Sequence, residues 1–487
     1  MTQTLSPLDG RYQKQVAPLL EFFSEAALNR ARLQVEVEWL ILLCNGIGYR
    51  NSGQAAARPL MPGAPILSDD DVARLRGIVT AFDDAEAGKL AQIEAVTKHD
   101  VKAIEYYLAE RVSELVPQVK PELIHFAFTS EDVNNLAYAL NISSALKTIW
   151  LPAAHALVTQ LAQIAQATAA IPMLSRTHGQ AASPTTLGKE LTVFVLRLQR
   201  QLSRIEGDTI LGKSNGATGT FGAHLAGVPD ADWLAISQAF VTGLGLEWNP
   251  VTTQIEPHDW QAELFADVTR FGRILHNLAT DIWTYISLGY FAQIPPENSV
   301  GSSTMPHKIN PIRFENAEAN LEISGALFDS LSATLVTSRL QRDLTDSTTQ
   351  RNVGVAFGHS LLAIDNIRNG LASIHPDAAK MAVDLADNWE VLAEPIQTAM
   401  RAAAIAGVPG MSNPYERLKD LSRGHKLTPN ELRTFIVGLQ LPPATTEQLL
   451  ELTPQTYIGL ATELVERYLP TEQPAASSQQ TRLASDV

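Results

Sequence analysis

Apolar residues recur along most of this chain at spacings of three and four. Residues 151–170 (LPAAHALVTQLAQIAQATAA) place Ala154, Leu157, Val158, Leu161, Ile164 and Ala165 on one face, the pattern of an amphipathic helix. Residues 191–205 are more apolar all round and predict a buried helix. Residues 262–292 run for 31 residues without proline, which predicts a helix several turns tall, suited to a bundle. Another long helix is predicted over 315–337. Strand-like alternation is scarce, so the fold class expected is all-α. Helices this long and apolar often pack against other subunits as well as their own, so an oligomer is expected.

Three zones follow along the chain. Residues 1–125 are mixed polar helices with a Pro/Gly/Asn-rich loop at 45–67. Residues 126–372 hold the long apolar helices. Residues 373–470 are shorter helices broken by GVPG and SNPY. The polar stretch 471–487 reads as a disordered tail. No internal repeat stands out.

Composition narrows the function classes. The 487 residues are 45% hydrophobic and 18% charged, ample for a large core. One cysteine, Cys44, rules out an intrachain disulfide and fits a reducing, cytoplasmic setting. The N-terminus lacks a basic start and an apolar stretch, so no signal peptide is expected. The longest apolar run, around Trp39–Cys44, is too short to span a bilayer. A formal net charge of −15 without a Lys/Arg cluster argues against nucleic acid. It leaves room for an anionic small molecule held by a few converging cations.

Several segments carry candidate chemistry. GSSTMPHKIN at 301–310 combines a bendable Gly-Ser-Ser opening, a stiff Met-Pro step, the cation Lys308 and the amide Asn310. Such a loop can close over an anion and set Ser302 beside it. SRTHGQ at 175–180 places His178 in a polar turn, where it can be a general acid or base or simply a hydrogen-bonded loop residue. TSEDVNN at 129–135 reads as a capping box through Thr129 and Asp132, and equally as a helix-terminus anion site. TKHD at 97–100 sets His99 beside Asp100, as an oriented imidazole or as a surface turn. SRLQRDLTDSTTQRN at 338–352 carries Arg339, Arg342 and Arg351, suited to phosphate or carboxylate, or to solvated Arg–Asp pairs.

GDTILGKS at 207–214 formally matches a phosphate-loop pattern. A helical stretch precedes it, and Ile210 and Leu211 fill the turn, so that reading is disfavoured. The histidines lack a metal-ligand spacing and there are no cysteine pairs, so neither a metal nor a cofactor is expected. Acid–base candidates with many anion-binding groups suit proton abstraction next to a carboxylate, where cations hold the developing charge.

These segments resemble those of the fumarase/aspartase superfamily, whose layout matches TSEDVNN, the THGQ turn and GSSTMPHKIN. Within it, SPLDGRY at 6–12, KHDVKAIEYYL at 98–108, HFAFTSEDVNNL at 125–136, LSRTHGQAASPTTLGKE at 174–190, TTQIEPHD at 252–259 and RDLTDSTTQRN at 342–352 are similar to the bacterial adenylosuccinate lyase family. The resemblance covers nearly the whole chain except the tail. It implies a three-domain helical subunit, a homotetramer with a shared central bundle, and active sites built from three subunits. It implies removal of fumarate from adenylosuccinate and from SAICAR; the alternative is another superfamily lyase, such as one acting on argininosuccinate.

The same resemblance implies residue roles. Ser302 is the base and His178 the acid. Lys308 and Asn310 stabilise the carboxylate intermediate. Thr129, Ser130, Gln254 and Asn316 hold the succinyl group. Arg11, Tyr12, Arg342, Ser347 and Arg351 grip phosphate and ribose, and His99, beside Asp100, supports the phosphate and the acid. Lys98 is counted with the substrate-binding residues but departs from the family pattern, where a neutral Asn is expected; its added cation either strengthens phosphate binding or points to solvent.

Overall fold

Helices form nearly every long element among the described residues. The computed structural model describes residues 4–294, 305, 308–422 and 427–469. Leu151–Ala167, Asp259–Ser287 and Ile312–Leu335 are helices, as their three-four spacing predicts. The 262–292 expectation overshoots at its end. Gly289 adopts φ +77°, which a helix interior does not accommodate. Phe291–Gln293 then continues as a strand, antiparallel to Ile374–Pro376.

The expectation for 191–205 is also corrected. The helix Leu187–Gly207 buries Leu191, Val195, Leu198 and Leu202 but exposes Val193, Arg200 and Arg204. Positions 193, 197, 200 and 204 recur every three to four residues, so the arginines share one face and the helix is amphipathic.

The chain divides into two units. The first comprises residues 1–155, 200–276 and 316–366, and the second 156–199, 277–315 and 367–487. In the first unit, Ser24 caps the helix Glu25–Ser52 by accepting the Ala27 N–H at 3.1 Å. Leu33, Val37, Leu40, Ile41 and Cys44 on that helix join Leu75, Ile104 and Leu108 in one core. The helix kinks at Gly46, where φ is +73° and a Cβ would lie 2.2 Å from the Arg58 carbonyl oxygen. The helix Ser130–Ala145 runs beside it with Val133, Leu136, Ala137, Ala139, Ile142 and Ala145 all fully buried. A helix enclosed on every side has little room for flexibility, which suits a frame for a site.

In the second unit, Leu385, Ile396, Met400, Leu432 and Ile436 form a core that also takes Leu174. Leu174 belongs to a hairpin, Pro172–Thr177 paired antiparallel with Gln180–Thr186. Periodicity overlooks this hairpin because its strands are short and mostly polar. No helix among the described residues is long and apolar enough to cross a membrane.

Candidate active site

Charge inside an apolar helix is costly unless it is paired. The helix Glu25–Ser52 nevertheless buries Arg32 and Glu36 almost completely. With Trp39 they follow i, i+4 and i+7, so all three project from one face. Glu36 accepts the His125 backbone N–H at 3.1 Å, and its other oxygen lies 2.5 Å from His125 Nδ1. Burial pushes the His125 imidazole down, and the Glu36 contact together with the Glu105 and Asp132 charges more than reverses this, leaving its pKa above the ordinary value. The Trp39 indole donates to the Phe126 carbonyl at 3.0 Å and stacks on Phe128 at 4.4 Å. Together these contacts hold the loop 125–129, in which His125 and Ala127 have φ of 58° and 60°.

That loop delivers Thr129 and Ser130 to the start of the helix Ser130–Ala145. The Asp132 carboxylate accepts the Thr129 N–H at 2.8 Å, consistent with the capping expectation. It also accepts N–H groups of Asn215 at 2.9 Å and Gly216 at 3.1 Å, and pairs with the Lys213 ammonium at 2.9 Å. Lys213 is the lysine of GDTILGKS. It is fully buried, and coil and turn rather than a helix follow it directly over 213–221, so it cannot cradle a phosphate in the manner of a nucleotide loop. Gln254 donates to Thr129 Oγ1 at 3.4 Å, which ties the segment 252–259 to this helix terminus. A Cβ on Gly219 would lie 2.1 Å from the Thr252 carbonyl oxygen, so glycine is what lets the two loops approach.

The arginines of 338–352 divide between the two readings left open by sequence. Arg339 is highly exposed and pairs with Asp343 at 3.2 Å, an ordinary solvated pair. Arg342 is different. Its Nη2 meets the buried Glu131 carboxylate at 2.8 Å, and its buried Nε has no hydrogen-bond partner among the described residues. Arg351 pairs with Glu25 and lies 3.7 Å from Asp100. Ser347 follows the buried Asp346, whose Oδ1 accepts the Ser347 N–H at 2.6 Å.

Lys98 occupies the left-handed C-cap of the helix Asp84–Thr97, with φ 54° and ψ 26°. Asn favours that conformation, which gives a backbone reason for the residue expected there. His99 caps the next helix, Asp100–Leu115, by accepting the Lys102 N–H at Nδ1. With Nδ1 accepting, the proton of the neutral ring sits on Nε2. Burial raises the Asp100 pKa, but the Arg32 charge, the Val101 N–H and His99 outweigh it, and the carboxyl stays below its usual range. Tyr12 accepts an amide N–H of Asn316 at 3.1 Å, joining two further candidates. Arg11 is exposed, and its guanidinium lies over the neighbouring Tyr12 ring, 5.9 Å from its centroid.

The second unit carries the remaining candidates. His178 and Gly179 form the tip of the hairpin, with φ of 53° and 76°, the positive pair that a tight two-residue turn demands. The hairpin is anchored close to its tip by Arg176, which meets Asp384 at 3.3 Å, and farther along the second strand by Ser183, which donates to Glu394. The imidazole is therefore exposed on a rigid support. Lys308 is exposed, and its N–H donates to the Met305 carbonyl at 3.0 Å. Gln293 holds the adjacent Ile309 carbonyl at 2.8 Å. Lys308 and Asn310 immediately precede the helix Ile312–Leu335, whose N-terminus adds a partial positive charge. Ser302 lies outside the described residues.

In the first unit Gln254 meets Thr129, Arg351 stands beside Asp100, and Arg342 meets Glu131, which connects to Asp100 only through Asn134 and Arg32; Tyr12 separately joins Asn316. Arg11 lies over the Tyr12 ring, and among the described residues no side-chain contact ties Lys98 or Ser347 to another candidate. Sequence reading missed Arg32, Glu36 and Glu131. The signal available was two charges four residues apart inside the apolar run RLQVEVEWLIL.

A family model described as "Lyase" matches residues 10–322, and one described as "Adenylosuccinate lyase C-terminal" matches residues 338–458. The adenylosuccinate lyase of Haemophilus influenzae is 46% identical over 464 residues, covering 95% of this chain and 98% of that protein. That of Escherichia coli is 44% identical over 464 residues with the same coverage. Among solved structures, the fumarate lyase from Mesorhizobium sp. BNC1 superposes with a TM-score of 0.72 at 19% identity, covering 93% of this chain and 97% of that one. The 3-carboxy-cis,cis-muconate lactonizing enzyme from Pseudomonas putida gives 0.68 at 20% identity, with 93% and 96% coverage. At those identities the structural likeness speaks to the fold.

Proposed function

The chain belongs to the adenylosuccinate lyase family, and on that premise we propose that it removes fumarate from adenylosuccinate, leaving AMP, and from SAICAR, leaving AICAR. The reaction is a β-elimination by a C–N lyase. A base takes the proton from the carbon next to a succinyl carboxylate. The C–N bond then breaks, its electron pair passes to nitrogen, and an acid protonates that nitrogen as fumarate departs. The observation that carries this reading is identity of 44–46% to adenylosuccinate lyases across 95% of the chain.

In this reading Ser302 is the base and His178 the acid. Lys308, Asn310 and the helix terminus behind them stabilise the doubly charged carboxylate intermediate. Thr129, Ser130, Gln254 and Asn316 hold the succinyl group. Arg11, Tyr12, Arg342, Ser347 and Arg351 grip phosphate and ribose, and the Nε2 donor of His99 supports the phosphate. The unpartnered Nε of Arg342 supports its assignment. We further propose a three-domain subunit and a cytoplasmic homotetramer whose active sites draw residues from three subunits.

Fumarate release from adenylosuccinate, followed by ultraviolet absorbance, tests the reading. Ser302→Ala and His178→Ala are expected to lower kcat by about 100-fold or more while the tetramer stays folded. Near-normal turnover in Ser302→Ala removes the serine from its role. Cleavage of argininosuccinate in place of adenylosuccinate refutes the substrate.

A further inference from the structure

Arg32 uses all three guanidinium nitrogens inside the protein. Nε donates to Asn134 Oδ1 at 2.9 Å, Nη1 to Asn29 Oδ1 at 3.0 Å and Nη2 to Asp100 Oδ2 at 2.7 Å. A buried ion pair stabilises a fold little compared with apolar residues of equal volume, so stability alone does not account for this arginine. It does impose geometry. With its oxygen taken by Arg32, the Asn134 amide turns its NH₂ to Glu131 Oε1 at 2.9 Å. That same oxygen receives Arg342 Nη2 at 2.8 Å. Arg342 is thereby held through one nitrogen, while its buried Nε keeps an open donor. On the other side, Arg32 holds Asp100 Oδ2 at 2.7 Å, and Arg351 stands 3.7 Å from that oxygen, beyond direct hydrogen bonding.

We infer that Arg32 is a positioning residue for the nucleotide, setting Arg342 through Asn134 and Glu131 and keeping Asp100 from capturing Arg351. One buried guanidinium then determines where two anion-gripping arginines point. Without it, Asp100 closes on the Nη2 of Arg351, whose Nη1 already pairs with Glu25, so that a second carboxylate engages the guanidinium, and the Asn134–Glu131 contact loses its orientation. The inference rests on the reading of Arg342 and Arg351 as ligands of the phosphate and ribose.

The test uses the full-length tetramer and four readings: KM and kcat for adenylosuccinate, and inhibition constants for the products AMP and fumarate. Arg32→Lys keeps the charge but loses the fork, and Glu131→Gln keeps the shape but loses the charge. Each is expected to raise KM and the AMP constant about tenfold and to leave the fumarate constant within about twofold. A purely structural role would lower the unfolding midpoint and the active fraction without moving the AMP constant. Should Arg32→Lys fail to fold, the near-isosteric Glu131→Gln decides alone. Arg342→Ala separates the two layers of the argument. If it raises the AMP constant while Arg32→Lys and Glu131→Gln do not, the positioning role is wrong. If Arg342→Ala leaves that constant unchanged, the nucleotide-grip reading fails and the inference falls with it.

Discussion

Replacing Lys213 with Met should destabilise the fold without touching the chemistry. Lys213 and Asp132 are both fully buried and 2.9 Å apart. Removing one partner of such a pair costs about 3–5 kcal/mol, because the other charge is left desolvated. In Lys213→Met the Asp132 carboxylate keeps the N–H groups of Thr129, Asn215 and Gly216 at 2.8, 2.9 and 3.1 Å. Those donors place the loss near the low end, about 3 kcal/mol. Asp132→Ala is worse. It leaves the Lys213 ammonium with the Gly216 carbonyl at 3.3 Å and removes the acceptor for all three N–H groups. Its cost belongs near the upper end, about 5 kcal/mol. The double variant should cost less than the sum, by about 1–3 kcal/mol. Large multi-subunit proteins often unfold irreversibly, so the assay is the rate of unfolding in urea followed by far-ultraviolet circular dichroism. A loss of 3 kcal/mol, absent from the transition state, corresponds to about 100-fold faster unfolding. If Lys213→Met unfolds within about threefold of wild type yet loses activity, Lys213 serves a ligand and the structural account is refuted.

Two other substitutions probe features seen only in the folded chain. Burial lowers the His224 pKa to about 4 and outweighs the attraction of Asp132, and neither ring nitrogen has a hydrogen-bond partner among the described residues. The unfolded imidazole takes up a proton near pH 6.5 and the folded one near 4. Folding stability therefore falls as pH drops through that window, by about 3 kcal/mol in all. His224→Phe is expected to remove that part of the acid slope, measured as unfolding midpoint against pH; an unchanged slope contradicts the assignment. Lys98→Asn should relieve the left-handed C-cap and raise the unfolding midpoint, by less than about 1 kcal/mol in stability. A lowered midpoint would show that Lys98 is held there by contacts worth more than the backbone cost.

Local information was enough for the long helices over 151–170, 262–292 and 315–337. An apolar stripe is written in consecutive residues and buries wherever a partner face exists. It was enough as well to name the chemical segments and to doubt GDTILGKS, because a phosphate loop needs a particular strand and helix on either side. It erred where local pattern is weakest. Gly289 ends a helix that composition alone would extend, the arginines of 193–204 line up only once the helix turns, and the polar hairpin around His178 has no apolar alternation to reveal it.

What sequence could not decide is which charges meet. Arg339 and Arg342 lie three residues apart and look alike on paper. One is a solvated surface pair, and the other is tied to a buried glutamate. Lys213 looks like a phosphate ligand until Asp132 is brought beside it by a separate helix. Arg32 and Glu36 read as interruptions in an apolar run. In the fold they are the groups that hold Asp100, Asn134 and the loop before Thr129. The physical reason is one of range. Helix periodicity and capping act over a few residues, so the chain states them directly. The pairing of buried charges depends on desolvation and on partners supplied by distant segments, and only the packed tertiary structure sets both.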